Sequence, residues 1–212
     1  MNKQLLTGAI ATATLTLTSI VLAAPARALT FDLGRPSGRL LAPSIDFAAQ
    51  DGINLRATVD SNSSNSALQV FQNRFGLGAT IALDSSDGDA NQVDGRGDAE
   101  SLILTFSERV NLSAATFSAI QNNDQFQLFV DGNSVSNFDI PGVGDGLRVD
   151  FAPVLTGSVF RFFASERNDD FFLSSVDVTA VPTPAAVLPG LMSLGVAVAR
   201  KKRNAEENNQ EA

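Results

Sequence analysis

Short strand-like runs recur between Leu29 and Thr179, and in several of them hydrophobic and polar residues alternate. In Leu102 to Phe106, positions 102, 104 and 106 share one face of an extended chain. Phe126, Leu128 and Val130 share another, with Gln125, Gln127 and Phe129 opposite, and Val176 and Val178 alternate with Asp177 and Thr179. This period of two predicts strands over 29–33, 45–48, 53–59, 68–75, 79–83, 101–106, 115–120, 125–130, 135–138, 147–151, 159–164 and 171–179. Turn signals separate them at Asp51-Gly52, Asp94-Gly95, Asp131-Gly132 and Asp145-Gly146, and Asp131-Gly132 between two alternating runs is the clearest hairpin. The stretch holds no long run with a 3.6-residue period. Many short strands with regular turns predict an all-β domain, an antiparallel β-sandwich of jelly-roll-like form, with the last strand central in its sheet.

The pattern changes at both ends. Met1-Asn2-Lys3 is a short basic start, Leu5 to Ala24 is apolar or small apart from Thr and Ser, and Ala26 and Ala28 stand at −3 and −1 of a cleavage site after Ala28. Residues 1–28 therefore read as a secretory signal peptide, the substrate of a signal peptidase. At the other end, Pro182-Thr183-Pro184-Ala185 leads into an apolar run that closes on Arg200-Lys201-Lys202-Arg203. As a helix, Ala185–Ala199 is about 22 Å long at 1.5 Å per residue, short for a hydrocarbon layer of about 30 Å. Four consecutive cations stop translocation and stay on the cytoplasmic side. The expected organisation is a signal peptide (1–28), an acidic sandwich (29–181), a C-terminal segment with a single transmembrane helix and basic stop (182–203), and a polar tail (204–212).

Val181 to Ala185, then Val187-Leu188-Pro189-Gly190-Leu191, then Gly195 and the basic cluster, resemble the PTPA variant of the PEP-CTERM sorting signals. These signals occur in exported proteins of cyanobacteria and other Gram-negative bacteria. The resemblance implies an exosortase, an integral-membrane Cys-dependent transpeptidase, acting near Pro182, Thr183, Pro184 and Ala185. It also implies a precursor anchored in the inner membrane that passes on to the cell surface or extracellular matrix. The tail from Asn204 to Ala212 is longer than is usual in the family, which leaves retention in the membrane open. Gly76-Leu77-Gly78, Val93-Asp94-Gly95, Glu100–Phe106, Val110–Leu112 and Asn168–Val176 are similar to segments of the domains that many such proteins carry, which implies a sandwich and no established chemistry.

Composition narrows the chemistry. The chain has no His and no Cys, which removes most nucleophile–base pairs, most transition-metal sites and any disulfide. Residues 29–181 hold nine Arg, no Lys, seventeen Asp and three Glu, a net charge of −11, which argues against a nucleic-acid partner. All fifteen Phe lie between Phe31 and Phe172, and Tyr and Trp are absent, so the usual sugar-stacking faces are missing.

The densest acidic stretch runs from Asp84 to Glu100. Counted from Asp87, positions 1, 3, 5 and 12 are Asp87, Asp89, Asn91 and Asp98, but Gln92 stands where an EF-hand turn needs Gly, and strand-like flanks argue against that motif. Two readings stay open: a sandwich-type Ca²⁺ site using Asp87, Asp94, Asp98 and Glu100, or a solvated polar loop. Glu166 to Asp170 reads as a turn with a solvated edge. Glycoside hydrolysis needs two carboxylates about 5–9.5 Å apart, and no motif singles out such a pair. The expectation is therefore a non-enzymatic, exported surface or matrix protein with a structural or adhesive sandwich, in contact with exopolysaccharide, with no cofactor beyond an optional Ca²⁺. The alternatives are a weak Ca²⁺-dependent carbohydrate-binding module and a carboxylate-dependent hydrolase.

Overall fold

Extended backbone dominates because the apolar positions recur every second residue, and a strand turns alternate side chains to opposite faces. The computed structural model describes residues 27–62, 68–80, 91–96 and 99–181, and all of them belong to one packed unit. Among them are twelve strands and no helix. The strands are β1 (Ala28–Asp32), β2 (Leu40–Ala42), β3 (Ser44–Gln50), β4 (Ile53–Ser61), β5 (Gln69–Asn73) and β6 (Gly76–Thr80). They continue with β7 (Val93–Asp94), β8 (Glu100–Ser118), β9 (Gln125–Val130), β10 (Asn133–Asp139), β11 (Leu147–Phe163) and β12 (Asp170–Ala180).

Every pairing is antiparallel. The main path runs β10–β9–β11–β8–β12–β6–β5–β2, with β1 and β7 also on β12, and β4 on β8 carrying β3 outside it. The last strand is central, as the alternation of Val176 and Val178 predicts.

Two long strands serve both layers. The first half of β8 lies between β4, in the register Val59↔Leu102, and the second half of β11, in the register Phe162↔Leu102. The second half of β8 lies between the first half of β11, with Leu147↔Phe117, and β12, with Val176↔Ala115. The switch falls where β8 steps from Thr105 to Val110 while β11 steps only from Val159 to Gly157. Extra residues on one side of a ladder bend that strand, and this is how a strand turns from one sheet into the next.

Aromatic contacts close the two layers on each other. Phe117 on the second half of β8 packs against Phe126 on β9 at 4.7 Å between ring centroids. Phe31 on β1 meets Phe106 on the first half of β8 edge to face at 5.7 Å. Phe160, Phe162 and Phe171 are fully buried in the same cluster. The fold is thus an antiparallel β-sandwich with a Phe-rich core.

The twelve predicted runs fall on ten observed strands, eight of them one to one and four merged in pairs. The runs 101–106 and 115–120 are parts of one strand, β8, and 147–151 and 159–164 are parts of β11. The segments between them, the polar Ser107 to Arg109 and the proline-led Pro153 to Thr156, mark the bend and the register shifts instead of turns. The short β2 and β7 carry no alternation long enough to read. Asp51-Gly52 and Asp131-Gly132 are two-residue hairpin turns, with φ of +47° and +88° and of +48° and +83°, the left-handed pair such turns require. Asp94-Gly95 is no hairpin: Asp94 belongs to β7.

Candidate functional site

Of the proposed Ca²⁺ ligands, Asp94 and Glu100 are described, while Asp87 and Asp98 lie outside the described residues. Asp94 ends β7 and Glu100 begins β8, and they meet: Glu100 Oε2 accepts the Asp94 backbone N–H at 3.2 Å. Asp94 Oδ1 accepts the Arg96 N–H at 2.6 Å. Both carboxylates thus have an oxygen engaged in holding the backbone around Gly95. Among the described residues no group of three or more acidic or other metal-ligating side chains is gathered.

The sorting residues Pro182, Thr183, Pro184 and Ala185 and the stop residues Arg200, Lys201, Lys202 and Arg203 lie outside the described residues. So do Ala26, the apolar runs at both ends and the tail. No helix among the described residues is long and apolar enough to cross a membrane. Ala28 is exposed at the start of β1, opposite Thr179 of β12.

Within Glu166 to Asp170, expected as a turn with a solvated edge, Glu166 to Asn168 form an exposed turn but Asp169 turns inward. Asp169 is fully buried. Its carboxylate accepts the N–H of Glu166 at 2.7 Å and of Gln125 at 3.1 Å, tying the β11–β12 turn to β9. Burial pushes its pKa up, against the pull of those donors. Asp170 accepts Gln92 Nε2 at 3.0 Å and Gln121 Nε2 at 3.1 Å. Asp169 is thus a structural cap, a buried carboxylate that holds the β11–β12 turn through backbone donors. A run of acidic residues carries no sign of which one turns inward.

Among the described residues, two surface depressions offer places for a ligand. The first, about 320 Å³, lies on β3, β4 and β8 and is lined by Asp46, Phe47, Asn54, Arg56, Thr105 and Ser107, among others. Asp46 and Arg56 face each other across β3 and β4. Arg56 Nε and Nη2 donate to the two Asp46 oxygens at 2.7 and 2.9 Å, a bidentate fork. That bond lowers the Asp46 pKa and leaves the depression without a free charge.

The second, about 400 Å³, is lined by Arg35, Pro36, Gly38, Arg39, Asn73, Arg74 and Phe75. It is formed by the β1–β2 loop and the tight turn from β5 into β6. The loop and turn are tied together: the Arg35 N–H donates to Asn73 O at 2.8 Å, and the Phe75 N–H to Asn73 Oδ1 at 2.8 Å. Beneath them Gln72 Nε2 donates to Leu33 O at 2.9 Å, and Ser174 Oγ to Phe75 O at 2.6 Å. Gly76, at φ +132°, lies so close to β12 that a Cβ would stand 2.2 Å from Leu173 O. Phe75 stacks on Phe172 at 6.0 Å, and the Arg74 guanidinium sits over the Phe75 ring at 4.5 Å.

Arg27, Arg56, Arg109 and Arg148 form ion pairs with Asp among the described residues, and Arg35, Arg39 and Arg74 are in none. Sequence reasoning passed over this site. The signal was the basic turn Arg35-Pro36-Ser37-Gly38-Arg39 in an otherwise acidic domain; Arg74 and Phe75 join it only through the β5–β6 turn.

No family model matches the chain, and no curated protein matches it. Among solved structures it is similar to the CBM32-1 and CBM32-2 domains of Clostridium perfringens ZmpB, at 12% identity and a TM-score of 0.33 over 60% of this chain and 35% of that one. It is also similar to the family 32 CBM of C. perfringens NanJ, solved in complex with galactose, at 11% identity and a TM-score of 0.33 over 59% of this chain and 92% of that one. Discoidin II of Dictyostelium discoideum gives 15% identity and a TM-score of 0.34, over 67% of this chain and 60% of that one. This chain thus spans about a third of the ZmpB chain. Likenesses this distant carry no residue role over to it.

Proposed function

We propose that this is an exported, non-enzymatic surface or matrix protein whose jelly-roll-like sandwich makes adhesive contacts with extracellular polymer. A signal peptidase removes the leader, and an exosortase-type transpeptidase handles the segment that begins at Pro182. The order of leader, acidic domain, Pro-rich motif, apolar run and basic stop supports the export reading.

One geometric observation carries the adhesive reading. The first and last strands of the described chain are neighbours, with Ala28 of β1 opposite Thr179 of β12. Both flanking segments therefore join the sandwich at one end of this strand pair. The arginine-lined depression starts at Arg35, seven residues further on and past the end of β1, up to about 23 Å away at 3.3 Å per residue. A domain tethered at one end and carrying an open, charged depression at the other is laid out for contact with something outside the cell.

Replacement of Pro182-Thr183-Pro184-Ala185 by four alanines tests the sorting half of the reading. The expected outcome, read by membrane fractionation and surface proteolysis, is accumulation in the inner membrane. Undiminished surface delivery of the replaced chain would falsify it.

A further inference from the structure

We propose that Arg35, Arg39 and Arg74 form a binding dish for the carboxylates of uronic-acid residues in an acidic polysaccharide. The inference rests on the adhesive reading above and names its ligand.

Three cations around one depression repel each other, and nothing acidic among the described residues lies within ion-pair reach to relieve them. They are three of only nine Arg between residues 29 and 181, in a stretch of net charge −11 where carboxylates outnumber them two to one. Of the other six, four have partners of their own: Arg56 pairs with Asp46, Arg109 with Asp131 and Arg148 with both Asp150 and Asp177, and Arg161 is held by Ser101 Oγ and the rings of Phe129 and Phe163. The dish is also built rigidly, on the Arg35–Asn73 and Phe75–Asn73 bonds and on the close approach of Gly76 to Leu173. Arg35 Nε is held by Ser37 O at 3.0 Å, and Arg74 by the Phe75 ring, so two of the three guanidinium groups arrive already oriented. Orientation in advance lowers the entropy lost on binding.

The chemistry of the donors selects the ligand. Guanidinium forks match planar carboxylates with two parallel hydrogen bonds, and Arg is the side chain suited to that geometry. A depression of about 400 Å³ is near the lower limit for small-molecule sites, room for a ring-sized unit of a chain that crosses it. The acidic surroundings set the tolerated charge density. Screening confines the dish's attraction to about 8 Å at physiological salt. Beyond that distance a polymer meets the negative domain. A polymer with one charge per sugar ring can place its carboxylates in the dish and keep uncharged atoms elsewhere. A densely charged chain such as duplex DNA, with one charge per about 1.7 Å of axis, is repelled over most of its length.

The test is titration calorimetry of the full-length protein with polygalacturonate oligosaccharides, against neutral dextran and inorganic polyphosphate. The expected order is uronate oligomer first, with binding weakened several-fold between 50 and 500 mM NaCl and little heat from dextran. The Arg39→Ala/Arg74→Ala variant should lose at least tenfold in affinity, Arg39→Glu should lose as much alone, and Arg74→Lys should fall between. All three side chains are exposed, so thermal midpoints should stay within about 2 °C of the parent, consistent with surface substitutions. Equal affinity in the variants, equal binding of dextran, or tighter binding of polyphosphate overturns the assignment. If the parent reaches the surface but ignores uronate, the dish falls and the export reading stands. If it binds uronate but never leaves the inner membrane, the reverse holds.

Discussion

The arginine dish and the depression on β3, β4 and β8 are near in size, about 400 and 320 Å³, and each sets arginine beside phenylalanine. They differ in what holds the charge. Arg56 lies directly across from Asp46 in the β3–β4 register, so the ladder itself supplies its partner. Arg35, Arg39 and Arg74 come from a loop and a turn, where no register brings a partner. The same residue type is therefore satisfied in one place and available in the other. At these two depressions it is register that separates the paired arginine from the unpaired ones.

The two depressions also differ in how their backbone is fixed, and this gives the largest expected effect. Gly76→Ala would put a Cβ 2.2 Å from Leu173 O, at a φ of +132° that side chains rarely adopt. Strain and overpacking of this kind cost about 3 kcal/mol or more together. For a domain of this size that is a fall of about 10 °C in thermal midpoint. Ser107→Ala beside the other depression removes only the exposed acceptor of the Asn54 N–H, a bond of 2.9 Å. Its expected cost is about 1 kcal/mol or less. Thermal unfolding of the two variants side by side separates a depression built on a backbone lock from one built on a flat ladder. Equal shifts in the two would contradict the difference in rigidity.

The sequence made parts of this comparison legible and hid others. The alternation at Leu102, Leu104 and Phe106 and at Val176 and Val178 exposes the core-facing side, because burial repeats with the pleat. Asp51-Gly52 and Asp131-Gly132 expose their hairpins, because few other dipeptides tolerate two left-handed residues. The length of β8 and β11 was hidden, since the polar Ser107 to Arg109 in one and Pro153 in the other look like breaks between strands. Asp169 was hidden because its burial depends on the N–H of Gln125, which lies in another strand. The dish was half legible: Arg35 and Arg39 stand close in the chain, but the turn that brings Arg74 to them is made by the pairing of β5 with β6.

A smaller effect follows from freeing the paired arginine. In Asp46→Asn the fork is lost and Arg56 becomes available on the β3–β4–β8 face. Made in the Arg39→Ala/Arg74→Ala background, it should restore uronate binding by no more than about threefold, the scale of a single exposed charge pair. Calorimetry with the same oligosaccharides reads it. Full restoration would show that any unpaired arginine suffices and that the built dish contributes nothing.

The smallest effect is a titration. Arg56 donates to Asp46 and holds its pKa below the usual 3.8. A depressed carboxyl pKa means the pair's contribution is present above the unfolded value and is lost as pH falls through the folded one. The Asp46 carboxyl carbon, followed by NMR from pH 6 to 2, should therefore show its midpoint below 3.8, and Arg56→Ala should move that midpoint back toward 3.8. Arg39→Ala and Arg74→Ala should leave it where it is, because neither guanidinium lies in ion-pair contact with Asp46. A shift of the Asp46 midpoint in the dish variants would mean that the two depressions share one electrostatic field, and the separation of a satisfied arginine from three available ones would no longer hold.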